Sequence, residues 1–147
     1  MDNILGLDAK LYHNTGTYAT PTWDEIDDAQ DVSLNLEAGE AEAKRRGSAG
    51  WAETIAALKE ASIEFGLLYR PSDPDFAALR DAYLNRTAID LLVLDGDVAT
   101  SGSQGLRAVC HITNFSREEP LEETVTISVT AKPTPNSDSP PVWFTAP

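Results

Sequence analysis

Polar and apolar residues alternate clearly in four stretches of the chain. In "DVSLNLE", Val32, Leu34 and Leu36 alternate with Ser33, Asn35 and Glu37. That period of two predicts a strand with one buried face. In "ASIEFGLLYR", Ile63, Phe65 and Leu67 oppose Ser62 and Glu64. Leu106, Ala108, Cys110 and Ile112 alternate with Arg107, Val109, His111 and Thr113. Near the end, Val125, Ile127 and Val129 oppose Thr124, Thr126, Ser128 and Thr130. A short strand over Asp8–His13 and another in "AIDLLVLDGD", ending in an Asp-Gly turn, complete the extended set.

One segment breaks this period. In "PSDPDFAALRDAYLNRTA", Phe76, Leu79, Tyr83 and Leu84 fall on one helical stripe, and Ser72 or Asp73 can cap its start. Pro74 and Asp75 suit the first turn, so a helix is expected over about 73–86. "AGEAEAKRRGSAGWAETIAALKE" is ambiguous. Its Ala, Glu and Lys content would suit a helix over Ala52–Glu60, but glycines 39, 47 and 50 cut it into short pieces. Residues 38–58 are therefore expected as a long, partly extended loop between strands. The tail "KPTPNSDSPPVWFTAP" reads as an extended or mobile Pro-rich arm over 133–147, after a domain over 1–132. Six or seven strands and one flanking helix predict an antiparallel β-sandwich or partly open barrel.

Charge narrows the function classes. The 147 residues carry 24 acids against 11 Lys and Arg, a formal charge of −13. Nucleic-acid binding draws on clustered cations, so a gripping role toward DNA or RNA is unexpected. The acidity suits solubility, a repulsive lining or a cation site. Cys110 is alone, which excludes an internal disulfide and suits a reducing compartment. Its place among Leu106, Ala108 and Ile112 marks it as a buried structural thiol. No secretory signal pattern and no membrane-length apolar run is visible.

Candidate chemistry is thin. "DEIDDAQD" fails the calcium-loop pattern, because Ile26 and Ala29 stand where a ligand and a glycine are needed. Asp95 and Asp97 read as turn residues. His13 and His111 lack ligand spacing, so a metal site would need carboxylates delivered by the fold. "GSQG" and "GSAG" lack the lysine of a phosphate loop. No metal, cofactor or catalytic set is expected. Trp23, Trp51 and Trp143 fall in predicted loops or the arm, either as docking residues or packed on the domain's own edge.

The order of these elements resembles the tail tube, or major tail, proteins of long-tailed bacteriophages. The likeness runs through "GLDAKLYHNTGTYATPTWDEI", "DVSLNLEAGEAEAKRRGSAGW", "SIEFGLLYRPSDPDFAALRDAYLN" and "GLRAVCHITNFSREEPLEETVTISVTAKPT". It implies a structural, non-catalytic virion protein, assembled in the host bacterial cytoplasm. Six copies would form a ring, rings would stack into a tube, and their sheets would close one barrel through which DNA leaves the capsid. Expected partners are further copies, tape measure, tail terminator and baseplate or tip proteins, with transient passage of DNA and no membrane.

On that reading, Ser33, Asn35, Glu37, Ser62, Glu64, Thr124, Thr126, Ser128 and Thr130 face the lumen. Lys44, Arg45, Arg46 and Trp51 serve ring stacking, the cations pairing with acids such as Asp24, Asp27 and Asp28 near Trp23 on a neighbour. Two rivals remain. One is a monomeric β-sandwich that binds sugar or protein through its tryptophans. The other is a metal-dependent enzyme built on Asp24, Asp27 and Asp28.

Overall fold

A computed structural model describes residues 3–134 and 138–147. Among these residues there are eight strands and one α-helix. The strands are β1 (Lys10–Asn14), β2 (Trp23–Glu25), β3 (Ala29–Ala43), β4 (Glu53–Leu68), β5 (Ile89–Leu94), β6 (Gln104–Glu118), β7 (Thr126–Pro133) and β8 (Val142–Thr145). The helix, α1, spans Pro74–Leu84. All pairings are antiparallel, in the order β2-β1-β5-β6-β7-β4-β3, with β8 beside β6. The sheet stays open and curls over one core, as the alternation predicted for a sandwich or partly open barrel.

That core takes side chains from both halves of the sheet and from the helix. Ile63, Leu67, Ile127 and Val129 meet Leu11, Leu91, Phe76 and Leu79 in a single cluster. The helix begins where expected. Asp73 caps it by accepting from the Asp75 amide at 3.2 Å, and Pro74 occupies the first turn. Its buried stripe is Phe76, Leu79 and Ala82, while Leu84 is exposed and Tyr83 stacks on Phe115 at the margin.

Four expectations need correction. The first strand starts at Lys10, because Gly6–Asp8 form a 3₁₀ turn. Residues 38–58 are mostly not a loop. β3 and β4 continue past the core as a two-stranded arm, paired from Ser33↔Glu64 to Ala43↔Glu53, and only 44–52 turn the chain. Hydrogen bonds across the pair override the helix propensity of the Ala, Glu and Lys there. A register shift opposite Gly39 absorbs the break that the glycine announced.

The C-terminal tail is not simply an arm that leaves the domain. Residues 135–137 lie outside the described part, but Val142–Thr145 return and pair with Gln104–Arg107 of β6. Phe144 joins Trp23 and Val98 over a second small cluster of Tyr12, Leu92 and Leu94. Finally, Thr124 precedes β7 instead of lying in it, so it leaves the strand's polar row.

Candidate functional site

Strand register decides which polar residues share a face. Across β3, β4, β7 and β6 it sets Ser33 beside Glu64, Glu64 beside Thr130, and Thr130 beside Asn114. The next row runs Gln30, Gly66, Ser128 and Ser116, and the one after joins Leu68, Thr126 and Glu118. Asn35 pairs with Ser62 and Glu37 with Glu60 farther along the arm. Eight of the nine sequence-predicted lumen candidates therefore stand together on one sheet face, opposite Ile63, Phe65, Leu67, Ile127 and Val129. Thr124 does not.

Sequence reading missed Glu60, Asn114, Ser116 and Glu118 on this face. Glu60 continues the period of Ser62 and Glu64 and was legible. The other three were hidden by a register shift between Ile112 and Asn114, after which the alternation of β6 inverts and Phe115 turns toward the core. The step from Ile112 to Phe115, an odd spacing between apolar residues, was its only signal.

Short of the arm's register shift at Gly39, the paired positions of the face hold Glu37, Glu60, Glu64 and Glu118 against one lysine, Lys132. Glu37 stands directly opposite Glu60, an arrangement that costs stability in a sheet. Such a face is a poor platform for phosphate and a good non-stick wall.

This four-strand layer also has two open edges. Among the described residues, β3 pairs only with β4, and β6 beyond Cys110 pairs only with β7. Three antiparallel steps separate these edges, so β3 and β6 run in opposite directions. Open edges of this length invite pairing with another chain.

The predicted interface residues divide. Asp28 accepts from Arg70 Nε at 2.6 Å, Asp27 lies 3.6 Å from the same guanidinium, and Asp24 lies 3.5 Å from His13 Nε2. These acids already hold the β2–β3 corner to the domain. Trp23 packs edge-on against Phe144 and beside Arg107. Trp143 is 58% exposed and donates from Nε1 to Gln104 Oε1 at 3.1 Å. Trp51, by contrast, is 80% exposed at the arm tip, in the same turn of the chain as Lys44, Arg45 and Arg46. Arg45 binds Glu53 of its own arm at 2.6 Å.

Two buried polar pairs were not foreseen. His13 Nε2 and Asp75 Oδ1 lie 2.6 Å apart, tying β1 to the first turn of α1. Burial, reinforced by Asp24 and opposed by His13, pushes the Asp75 carboxyl up to about 6. The fold thus does bring carboxylates to His13. Their 2.6 Å contact is hydrogen-bond spacing, whereas two ligands on one zinc would stand roughly 3.3 Å apart. In the second pair, Arg107 binds Asp90 at 2.7 Å, donates to the Tyr18 carbonyl at 2.8 Å and lies 3.9 Å over the Tyr18 ring. It anchors the β1–β2 connection. Asp90 inside an apolar strand run was the available signal, since a buried charge demands a partner.

A polar, edge-open layer is the geometry of a building block. The family described as phage tail tube protein matches residues 14–134 of the chain. The chain belongs to this family. Its role is structural, as wall material of a tube, as the resemblance implied. No curated protein matches at the sequence level.

Solved structures share the fold across almost the whole chain. The tail of an empty gene transfer agent particle, solved with helical refinement in C6 symmetry, has a TM-score of 0.73 at 14% identity, covering 97% of this chain and 98% of that one. The SPP1 tail tube gives 0.73 at 17% identity, covering 97% and 80%. The sheath–tube complex of an extracellular contractile injection system gives 0.67 at 9%, covering 97% and 92%.

Proposed function

We propose that six copies of this chain join edge to edge into a ring, that rings stack into a phage tail tube, and that the acidic face of β3-β4-β7-β6 lines its channel. The observation that carries this is the pair of open edges with opposite strand direction. When β3 of one copy meets β6 of the next, the antiparallel alternation continues unbroken, and a closed barrel abolishes both edges. The C6 symmetry of the fold-sharing tail supports six as the number.

The dimensions suit the role. Six copies with four strands each, spaced about 4.8 Å and tilted about 40°, close a barrel roughly 45–50 Å across at the backbone. That leaves room for a DNA duplex between the side chains. Four glutamates less Lys132 give the lining a net charge of −3 per copy, from the paired residues short of the arm's register shift alone. Repulsion acts over about 8 Å at physiological salt, so DNA slides without being trapped. The protein works by geometry and charge without catalysis, in the virion tail after assembly in the host cytoplasm. Tape measure, terminator and baseplate or tip proteins meet it inside and at the two ends.

Negative-stain electron microscopy across a concentration series, with light scattering on the same samples, tests the proposal. Rings or tubes with a central channel are expected. Monomer at every concentration, even with preformed tail ends added as nuclei, would contradict it.

A further inference from the structure

The arm tip and the acidic β6–β7 corner sit at opposite ends of the same layer. Glu118 and Leu68 both pair with Thr126, which places the corner "EEPLEE" beside the base of β4. The tip begins beyond Glu53, 15 residues along β4 from Leu68. At about 3.3 Å per residue the two features are separated by roughly 50 Å along the strand direction.

Their chemistry is complementary. At the tip, Lys44, Arg45 and Arg46 are consecutive in a chain with only 11 basic residues, and Trp51 is 80% exposed in the same turn of the chain. Ala49 at φ 52° and Gly50 at φ 87° turn the tip sharply. At the corner, Glu118, Glu119, Glu122 and Glu123 surround Leu121, which is 100% exposed. One end offers cations around an aromatic, the other carboxylates around an aliphatic.

From this we infer that the arm tip of one copy docks onto the 118–123 corner of a copy in the next ring, Trp51 covering Leu121 while Lys44 and Arg46 face Glu122 and Glu123. The inference rests on the tube reading and names the surface that receives the arm. Because donor and receiver lie at opposite ends of the layer, the contact is head-to-tail and repeats without closing, which is what a growing tube needs. Exposed ion pairs contribute only ~0–1 kcal/mol each, so burial of Trp51 and Leu121 supplies most of the affinity and the charges set register and on-rate. The acids Asp24, Asp27 and Asp28 are engaged within their own copy and are not the receiver.

The test is a charge swap in the full chain, scored by electron microscopy and light scattering. K44E/R46E and E122K/E123K spare the internal Arg45–Glu53 and Arg117–Glu119 pairs and break only the exposed Lys44–Glu42 contact at 3.9 Å. Each alone is expected to raise the concentration needed for tubes about tenfold or more while rings persist, and mixing or combining them should restore tubes. L121A, which alters no charge, should weaken stacking similarly and leave Trp51 open to iodide quenching. Unchanged tubes in all these variants, with Trp51 still quenched in wild-type tubes, would overturn the contact while leaving the tube reading intact. A wild type that forms neither rings nor tubes would overturn both.

Discussion

Arg107 and Asp90 show how single residues hold the β1–β2 connection to this domain. Both are nearly buried, and the guanidinium also carries the Tyr18 backbone and ring. Arg107→Ala strands a buried carboxylate, so a loss of about 3–5 kcal/mol is expected in denaturant unfolding. A loss below about 1 kcal/mol would mean the pair is solvated. Cys110 is equally legible from its surroundings. Burial pushes its thiol up to about 12, so it should stay inert to a thiol reagent at neutral pH until the protein unfolds. Prompt reaction in the native state would contradict its place in the core.

Asp75 gives a pH signature. Its carboxyl is raised from 3.8 to about 6, chiefly by desolvation. The folded state therefore holds this proton more tightly than the unfolded chain does. The resulting stabilisation is complete below pH 3.8 and is lost as pH rises through about 6. Between about pH 4 and 7, the unfolding midpoint of the wild type should fall relative to that of Asp75→Asn. Parallel curves for the two would show that Asp75 does not titrate in this range. Gly105 is a steric case, because a Cβ there would collide with the Val93 carbonyl oxygen. Gly105→Ala should prevent normal pairing of β5 and β6.

At the scale of elements, legibility followed burial. The strand around Ile63, Phe65 and Leu67, the strand around Ile127 and Val129, and the capped helix each set an apolar face against the core, so periodicity announced them. The β3–β4 arm could not be read that way. Solvent covers both its faces, Leu36 is 57% exposed, and no alternation is imposed on "AGEAEAKRRGSAGWAETIAALKE". The β8 strand was obscured by prolines that mark its approach but not its return. The pairs His13–Asp75 and Asp90–Arg107 join residues distant in sequence, so only the lone charges hinted at them. The polar face of β3, β4, β7 and β6 was legible because strand period fixes it, apart from the inversion in β6. Removing residues 139–147 should expose Tyr12, Leu92 and Leu94 and destabilise the fold. Unaltered thermal unfolding of that truncation would mean that β8 contributes nothing to the isolated subunit.

For the whole molecule, sheet and charge have one common use. A four-strand layer with opposed open edges is hazardous in a lone subunit and complete in a ring. Its polar face places glutamate opposite glutamate, which costs stability in the lone subunit and which the proposed channel would use to repel DNA. The arm extends far beyond the core that it would otherwise serve. The most direct measurement is a cryo-electron microscopy map of the assembled protein that resolves side chains. The account predicts a closed barrel in which β3 of each copy pairs with β6 of the next, with Ser33, Glu64 and Ser128 facing the axis. A channel lined by α1 or β8, or rings whose β3 and β6 edges stay unpaired, would contradict it.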